Sequence, residues 1–125
     1  MRLLLDTHIL LWTFSSPRTI KEVVRREIVN PRNSIYVSAV SAWEISIKKT
    51  LGKLESPDDL KGAIRETGFS ELAVTMDHAI HAVELPRHHE DPFDRMLVAQ
   101  AEIEHLILVT RDSILLRYGI QCLTA

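Results

Sequence analysis

Four acidic side chains, although far apart along the chain, could together form one polar site. They are Asp6, Glu44, Asp94 and Asp112. Carboxylates about 4 Å apart repel by roughly 4 kcal/mol per pair at an effective dielectric of about 20. Such a cluster therefore needs bound protons or a divalent cation, and oxygen ligands favour Mg²⁺ or Mn²⁺ over zinc. A cation held in this way can activate water and stabilise the charge that develops during phosphodiester cleavage.

Two of these acids follow apolar runs that are typical of buried strands. Asp6 comes directly after Leu3-Leu4-Leu5, and Asp112 follows a run that ends at Val109. In open α/β sheets, functional groups gather just beyond the carboxyl ends of the strands. Strand ends also use Asp as a turn former or helix cap, so each acid taken alone could instead have only a structural role.

Glu44 has a position on its predicted helix that favours a functional role. The apolar stripe of this helix is formed by Val40, Trp43, Ile47 and Leu51. Glu44 lies within the stripe, where a solvated glutamate is not expected. An ion pair with Lys48 at i+4 is the structural alternative, but such a pair contributes only about 0.3–0.5 kcal/mol.

Asp94 lies near the start of another helix. Asp91 is a good N-cap, and Pro92 suits the first helical position, where its missing N–H costs nothing. The core-facing stripe of this helix is formed by Leu97, Val98 and Ala101. Asp94 continues that stripe, so its carboxylate is either a partner of the helix dipole or part of a polar site at the end of the core.

The elements that must position these acids alternate between strand and helix. Short apolar runs predict strands at residues 3–5, 34–38, 72–74, 106–109 and 120–123. Helical spacing predicts helices at residues 9–14, 19–29, 39–51, 57–67, 77–85, 92–105 and 114–117. Ile20, Val23, Val24 and Ile28 form the apolar face of the second helix, and Gly52 should close the third. The pattern predicts an α/β fold with a mainly parallel central sheet flanked by helices, as a single domain over residues 1–125.

The composition limits the partners and the compartment. The formal net charge is −2, so any binding of a polyanion must come from a local patch of Arg and Lys. Cys122 stands alone, which excludes an internal disulfide and fits a reducing compartment. The first apolar run is too short for a signal peptide and no run approaches membrane length, so we expect a cytoplasmic protein without a membrane partner.

Other catalytic arrangements are less coherent. The sequence has no glycine-rich phosphate loop, no His-Glu-x-x-His pair and no nucleophile elbow. His88-His89-x-Asp91 could bind a metal, but an exposed polar loop explains these residues better. Trp12 and Phe14 are expected in the core, although they could instead form part of a partner groove next to Asp6.

Four motifs occur in an order that resembles a known family. They are Leu5-Asp6-Thr7-His8, residues 37–45 with the sequence VSAVSAWEI, His89-x-Asp91-Pro92-Phe93-Asp94-Arg95 and Thr110-Arg111-Asp112. Together they resemble a PIN-domain ribonuclease of the VapC toxin type, and the resemblance spans essentially the whole chain. The sequence departs from many relatives at His8, where they carry a small hydroxyl residue.

The resemblance implies a PIN-like fold and a Mg²⁺- or Mn²⁺-dependent endoribonuclease site. By residue matching, Asp6 and Asp94 would be the principal metal ligands, and Glu44 would complete the acidic pocket directly or through water. Asp112 would be the fourth acid, with Thr110 as a nearby polar support. The family also implies a homodimer and a small cognate antitoxin protein that occupies or blocks the site.

The leading hypothesis is therefore metal-assisted hydrolysis of an RNA phosphodiester bond. The basic residues beside the proposed acids could bind RNA phosphates; they are Arg95, Arg111, Lys48 and Lys49. Ion pairs with the acids, or solvated charges, explain each of them equally well.

The main alternative is a catalytically inert PIN-like module that binds RNA or a protein. A phosphatase-like enzyme with Asp6 as its nucleophile is a more distant possibility.

Overall fold

Five strands form one sheet in which every neighbouring pair is parallel. The computed structural model describes residues 1–125. The strands are β1 (Arg2–Leu5), β2 (Ser34–Ser38), β3 (Ser70–Leu72), β4 (Ile107–Thr110) and β5 (Cys122–Thr124). Their order across the sheet is β3-β2-β1-β4-β5. All the carboxyl ends of the strands therefore meet at one edge, which confirms the predicted α/β fold with a parallel sheet.

Six α-helices cover the two faces of the sheet. They are α1 (Thr7–Ser15), α2 (Glu22–Val29), α3 (Ala39–Thr50), α4 (Leu60–Glu66), α5 (Met76–Glu84) and α6 (Pro92–Glu104). Side chains alternate between faces along a strand. Leu3 and Leu5 therefore join a core with α1 and α2, whereas Leu4 joins a second core with α5 and α6. None of these helices combines the length and the apolar sequence that crossing a membrane requires.

The second predicted helix, at residues 19–29, is divided in the structure. A short 3₁₀ turn covers Pro17–Thr19, and α2 begins only at Glu22 because the backbone is extended at Ile20. Ile20 is still buried in the same core as Val24, so burial did not require one continuous helix. Val23 was predicted on the apolar face but is 65% exposed, so that part of the prediction is wrong.

Three other predicted boundaries also shift. The helix predicted at residues 57–67 starts at Leu60, because the Asp59 side chain accepts a hydrogen bond from the Gly62 N–H and caps the helix there. The strand predicted at residues 72–74 is β3, at Ser70–Leu72, where parallel pairing with β2 is available. The last strand, predicted at residues 120–123, is likewise displaced to β5, where it pairs with β4.

The apolar stripe predicted for α3 is wrong, although its conclusion about Glu44 is not. Trp43 and Leu51 are both 62% exposed. The buried face of the helix shares Val40 with the predicted stripe and is formed by Val40, Ser41, Glu44 and Ile45. Trp43 instead packs edge-on against Phe93 of α6 at the surface, with the ring centroids 5.4 Å apart. Gly52 closes the helix as predicted, with a φ of 71° that an L side chain rarely adopts.

Candidate metal centre and active site

Asp6 lies at the carboxyl end of β1 and is only 6% exposed. Its Oδ1 accepts a hydrogen bond from the Ile9 N–H at 2.8 Å, so it caps α1. Its Oδ2 accepts a hydrogen bond from the Thr110 hydroxyl at 2.5 Å. Burial raises the pKa of this carboxyl above its usual range, and the two hydrogen bonds only partly oppose that effect. The structural and the functional roles predicted for Asp6 are therefore compatible.

Thr110 connects two of the predicted acids. It is fully buried at the end of β4, the strand beside β1. Its hydroxyl donates to Asp6 and accepts a hydrogen bond from the Asp112 N–H at 3.1 Å. The polar support predicted for Thr110 thus has a definite geometry, because one hydroxyl orients the Asp6 carboxylate and the turn that carries Asp112.

Glu44 projects from α3 toward the same edge of the sheet and is 3% exposed. One carboxylate oxygen accepts a hydrogen bond from the Thr7 hydroxyl at 2.7 Å, and that hydroxyl lies 3.1 Å from Ser41 Oγ. The other oxygen lies 2.5 Å from the Lys48 ammonium. The predicted ion pair with Lys48 is therefore present, and it coexists with a buried position beside α1.

Asp94, Asp112 and His89 form the group of side chains best arranged to hold a cation. The His89 Nε2 lies 2.9 Å from an Asp94 oxygen and 3.5 Å from an Asp112 oxygen. One ligand atom from each of the three lies within 4.8 Å of the other two. All three side chains are partly buried, so water still reaches the cluster.

The charges of these acids influence one another. Burial, followed by the nearby Asp91 carboxylate, raises the pKa of Asp94 to about 6, against the opposing effect of His89. The Asp6 carboxylate also contributes to that increase. A hydrogen bond to Glu44 raises the pKa of Lys48, and the charges of Asp91 and Asp94 act in the same direction. The structure therefore brings all four predicted acids into one electrostatic environment.

His89 is the residue that sequence reasoning did not include in the site. The sequence places it in a polar loop, and only the fold brings its ring between Asp94 and Asp112. A usable signal was its spacing, because His89 lies five residues before Asp94 and just ahead of the Asp91 cap. A histidine just ahead of a helix cap can fold back onto the first turn of that helix.

The predicted arginines are held by main-chain carbonyls. The Arg95 guanidinium donates to five carbonyl oxygens within residues 82–89, at 2.8–3.2 Å, and lies 3.4 Å from the Tyr118 hydroxyl. The Arg111 guanidinium donates to the carbonyls of Thr19 and Ala125 and lies over the Trp12 ring. Neither arginine forms an ion pair with the acids, so that structural alternative does not apply to them.

The residues at this edge fit a hard divalent cation. Asp6 is buried, yet both of its hydrogen-bond donors, the Ile9 amide and the Thr110 hydroxyl, are neutral. A buried carboxylate whose hydrogen-bond donors are all neutral is costly to ionise, and a bound cation offsets that cost. Carboxylate oxygens suit both Mg²⁺ and Mn²⁺, and an imidazole nitrogen such as that of His89 is more compatible with Mn²⁺.

Comparison with known proteins identifies the family to which this arrangement belongs. The family model described as PIN domain matches residues 3–121. The ribonuclease VapC16 of Mycobacterium tuberculosis is 39% identical, over an alignment that covers 52% of this chain and 51% of that protein. The chain therefore matches about half the length of this curated relative. The resemblance to PIN domains that the motifs predicted is confirmed.

Solved structures share the fold at low sequence identity. VapBC2 of Rickettsia felis, bound to a DNA fragment from its promoter, has a TM-score of 0.74 at 15% identity, covering 99% of this chain and 98% of that chain. A DNA-bound VapBC from Salmonella typhimurium has a TM-score of 0.71 at 20% identity, with the same coverage of both chains. These similarities establish the three-layer architecture independently of the sequence motifs.

Proposed function

The chain belongs to the PIN domain family, and on that premise we propose that it is a metal-dependent endoribonuclease that hydrolyses RNA phosphodiester bonds. One observation carries the proposal: acids from separate segments converge at one edge of a parallel sheet, and the most buried aspartate, Asp6, accepts hydrogen bonds only from neutral donors. Such an arrangement is costly for a structural role alone, whereas it suits the binding of a hard cation.

The proposed catalytic set is the one that the sequence predicts, with one addition. Asp6, Asp94 and Asp112 would hold Mg²⁺ or Mn²⁺, and Glu44 would complete the set directly or through water. When bound, the cation supplies positive charge that activates water and stabilises the in-line transition state. His89 is the addition, because its Nε2 lies between the two carboxylates, 2.9 Å from an Asp94 oxygen and 3.5 Å from an Asp112 oxygen.

The remaining polar residues position these carboxylates. Thr110 donates its hydroxyl hydrogen to Asp6 and keeps one carboxylate oxygen directed away from the cap of α1. The Thr7 hydroxyl likewise donates a hydrogen bond to one oxygen of the Glu44 carboxylate. Because both hydroxyls are buried, the carboxylates have few alternative orientations, and the site is preorganised before a cation or RNA binds.

Lys48 is the predicted basic residue that is best placed to contact an RNA phosphate. Its side chain is 35% exposed, and the hydrogen bond to Glu44 raises its pKa, so the ammonium stays charged at neutral pH. Arg95 acts indirectly, since its guanidinium fixes the loop that carries His89. Arg111 lies beside Asp6 and Asp112 in the same cavity, where its guanidinium is held over the Trp12 ring.

The proposed partner is a small antitoxin protein, and the proposed assembly is a homodimer. The similar VapBC structures and the curated ribonuclease VapC16 support a toxin–antitoxin context for the chain. In that context, a partner that covers the acidic edge of the sheet would block both metal and RNA. The single domain and the cytoplasmic location stay predictions from the sequence.

The test is to replace a carboxylate by the amide of the same shape. We expect Asp6→Asn and Asp94→Asn each to reduce cleavage of single-stranded RNA in Mg²⁺ by more than the roughly 10- to 100-fold that loss of an outer-shell partner causes. Binding of Mn²⁺, measured by calorimetry, should weaken in parallel. Asp77→Asn is the matched control, because Asp77 is exposed in the first turn of α5 and should leave both measurements unchanged.

Two results would contradict the proposal in different ways. Wild-type turnover in Asp6→Asn or Asp94→Asn would remove these residues from the catalytic set. A wild-type chain that binds RNA but neither binds Mn²⁺ through the carboxylates nor cleaves RNA would support the alternative, an inert PIN-like binding module.

A further inference from the structure

A surface cavity of about 340 Å³ lies directly beside the acidic edge of the sheet. Its lining combines two of the proposed catalytic acids with aromatic and basic side chains: Asp6, His8, Ile9, Trp12, Arg111 and Asp112. The proposed reaction uses the two acids of this cavity. It leaves the roles of His8, Trp12 and Arg111 unexplained.

The two aromatic rings lie on one face of α1. His8 and Trp12 are four residues apart, so they are neighbours on the helix surface. Their ring centroids are 5.9 Å apart, and the ring planes are inclined at 45°. His8 is exposed although it is in the first turn of a helix that otherwise buries Thr7, Ile9 and Leu10. Nothing in the packing of α1 requires an aromatic side chain at this exposed position.

Arg111 adds a cationic group to the two aromatic rings of this cavity. Its guanidinium carbon lies 4.6 Å from the centroid of the Trp12 ring. The carbonyl oxygens of Thr19 and Ala125 accept hydrogen bonds from Nε and Nη2, so the planar group is held in one orientation. A fixed guanidinium next to aromatic rings is a surface on which an unpaired nucleobase can stack.

We propose that His8, Trp12 and Arg111 form a nucleobase-binding subsite, which takes one unpaired base of single-stranded RNA next to the reactive phosphate. The inference rests on the proposed ribonuclease function and adds a binding site for one base to it. A base that stacks on these side chains must have left any helical stack, so a double-stranded substrate is excluded from the subsite. Because Asp6 and Asp112 line the same cavity, a base bound there lies next to the phosphate that these acids address.

Stacking in this subsite can be measured without cleavage. Asp94→Asn is used as the background so that the RNA stays intact, and the probe is a short single-stranded RNA with 2-aminopurine at successive positions. We expect fluorescence quenching at one position. His8→Ala and Trp12→Leu should each remove the quenching and weaken binding about 5- to 150-fold, the range that stacking of one base contributes.

Three further samples separate stacking from unfolding. Trp12→Phe keeps an aromatic ring and should retain most of the quenching. Trp43→Leu is the matched control, since Trp43 is exposed on α3, outside the cavity, and should bind as the background does. RNA that lacks the base at the quenched position should bind the background weakly, and His8→Ala should then cause no further loss, because the interaction is already absent.

The outcomes distinguish the subsite from the nuclease. If the wild-type chain cleaves RNA, but neither base removal nor His8→Ala changes KM or binding by more than about twofold, the subsite proposal is contradicted and the ribonuclease proposal is not. If the wild-type chain shows position-specific quenching without any cleavage, the subsite proposal is supported and the ribonuclease proposal is contradicted. If no RNA binds, both proposals are contradicted.

Discussion

Asp94 is subject to two opposing demands. Burial and the neighbouring Asp91 carboxylate favour its protonated form, with a pKa of about 6, whereas a metal ligand must be ionised. This opposition suits a metal site, because a bound cation stabilises the ionised carboxylate that burial and the Asp91 charge disfavour. The proton and the cation therefore compete for the Asp94 carboxylate in the range just below neutral pH.

This competition predicts a pH-dependent affinity for metal. Because Asp94 is protonated below about pH 6, affinity for Mn²⁺ should fall by roughly tenfold as the pH is lowered from about 7 to about 5. In the metal-free chain, stability depends on pH in the opposite direction to the affinity for metal. A raised pKa in the folded state means that the free energy of unfolding decreases as the pH rises from about 4 to about 6. Calorimetry with Mn²⁺ and urea unfolding of the metal-free chain would measure the two effects.

The control for both measurements is Asp94→Asn, which cannot titrate at this position. It should flatten the metal-free stability profile between about pH 4 and about pH 6. An unchanged profile in this variant would assign the titration to another group, with Asp6 the first candidate because its pKa is also raised by burial.

Glu44 shows how a residue can be identified for a partly wrong reason. The sequence places it on an apolar stripe with Trp43 and Leu51, yet both of these side chains are exposed. The prediction of a buried carboxylate holds because the buried face of α3 is rotated from that stripe and still includes Glu44. Helical periodicity alone could not distinguish these two faces, since α3 has apolar residues on both.

At the scale of elements, the start of α6 combines a helix cap with a site residue. Asp91 accepts hydrogen bonds from the N–H groups of Phe93 and Asp94, as its identification as an N-cap predicts. Its charge also contributes to the raised pKa of Asp94. One side chain therefore stabilises the helix and tunes the acid three residues later.

Asp91→Asn separates these two effects. Asn caps a helix about as well as Asp, so the free energy of unfolding should change by no more than a few tenths of a kcal/mol at neutral pH. The pKa of Asp94 should move down from about 6 while staying above its usual value, because burial remains the larger cause. NMR titration of the Asp94 carboxyl would measure the shift. Asp91→Ala should instead lose about 1 kcal/mol through the missing cap.

Arg95 joins the start of α6 to the end of α5. The guanidinium satisfies carbonyl groups at the C-terminal end of α5 and in the following loop, including that of His89. Sequence reasoning assigned this residue to RNA phosphates, since an arginine beside an acid is typical of such a role. The carbonyls that it binds come from the preceding helix and loop, and no local pattern indicates that contact.

Arg95→Ala should therefore destabilise the fold more than a surface substitution does. Hydrogen bonds from a charged group contribute about 1.5–3 kcal/mol, and we expect a loss of at least about 2 kcal/mol in urea unfolding. Arg95→Lys should restore little, because an ammonium cannot reproduce the planar set of donors. Arg87→Ala, at an exposed position in the same loop, is the control. A change below about 0.5 kcal/mol in Arg95→Ala would show that the carbonyls are equally well satisfied by water.

At the scale of the whole molecule, the site joins segments that are distant in sequence. Asp6 follows β1, Glu44 belongs to α3, Asp94 to α6, and Asp112 follows β4. A cation held by these residues would link both layers of helices to the centre of the sheet. Metal binding should consequently stabilise the entire fold and not only the loops around the site.

Thermal unfolding would measure this linkage. At a Mn²⁺ concentration about 100 times its Kd, the stabilisation is about 2.7 kcal/mol, equivalent to a rise in Tm of roughly 10 °C for a chain of this size. Asp6→Asn should remove most of the increase, whereas Asp77→Asn should retain it. An equal increase in both variants would indicate that Mn²⁺ binds elsewhere.

The sequence by itself determined the α/β fold with its parallel sheet and the N-cap at Asp91, and it supplied the four acidic candidates for the site. These features depend on local signals, namely apolar runs, helix caps and the residue that follows a strand. The displaced ends of α2 and α4 show where local signals stop, because burial of Ile20 and capping by Asp59 outweigh helical spacing.

Only the tertiary structure decided which side chains touch. The order β3-β2-β1-β4-β5 places Thr110 beside Asp6, and the packing of the loop before α6 brings His89 between Asp94 and Asp112. It also directs Arg95 to main-chain carbonyls and places Trp12 under Arg111. Contacts of this kind join residues that are up to 104 positions apart, so they depend on strand order and packing, which no short stretch of sequence contains.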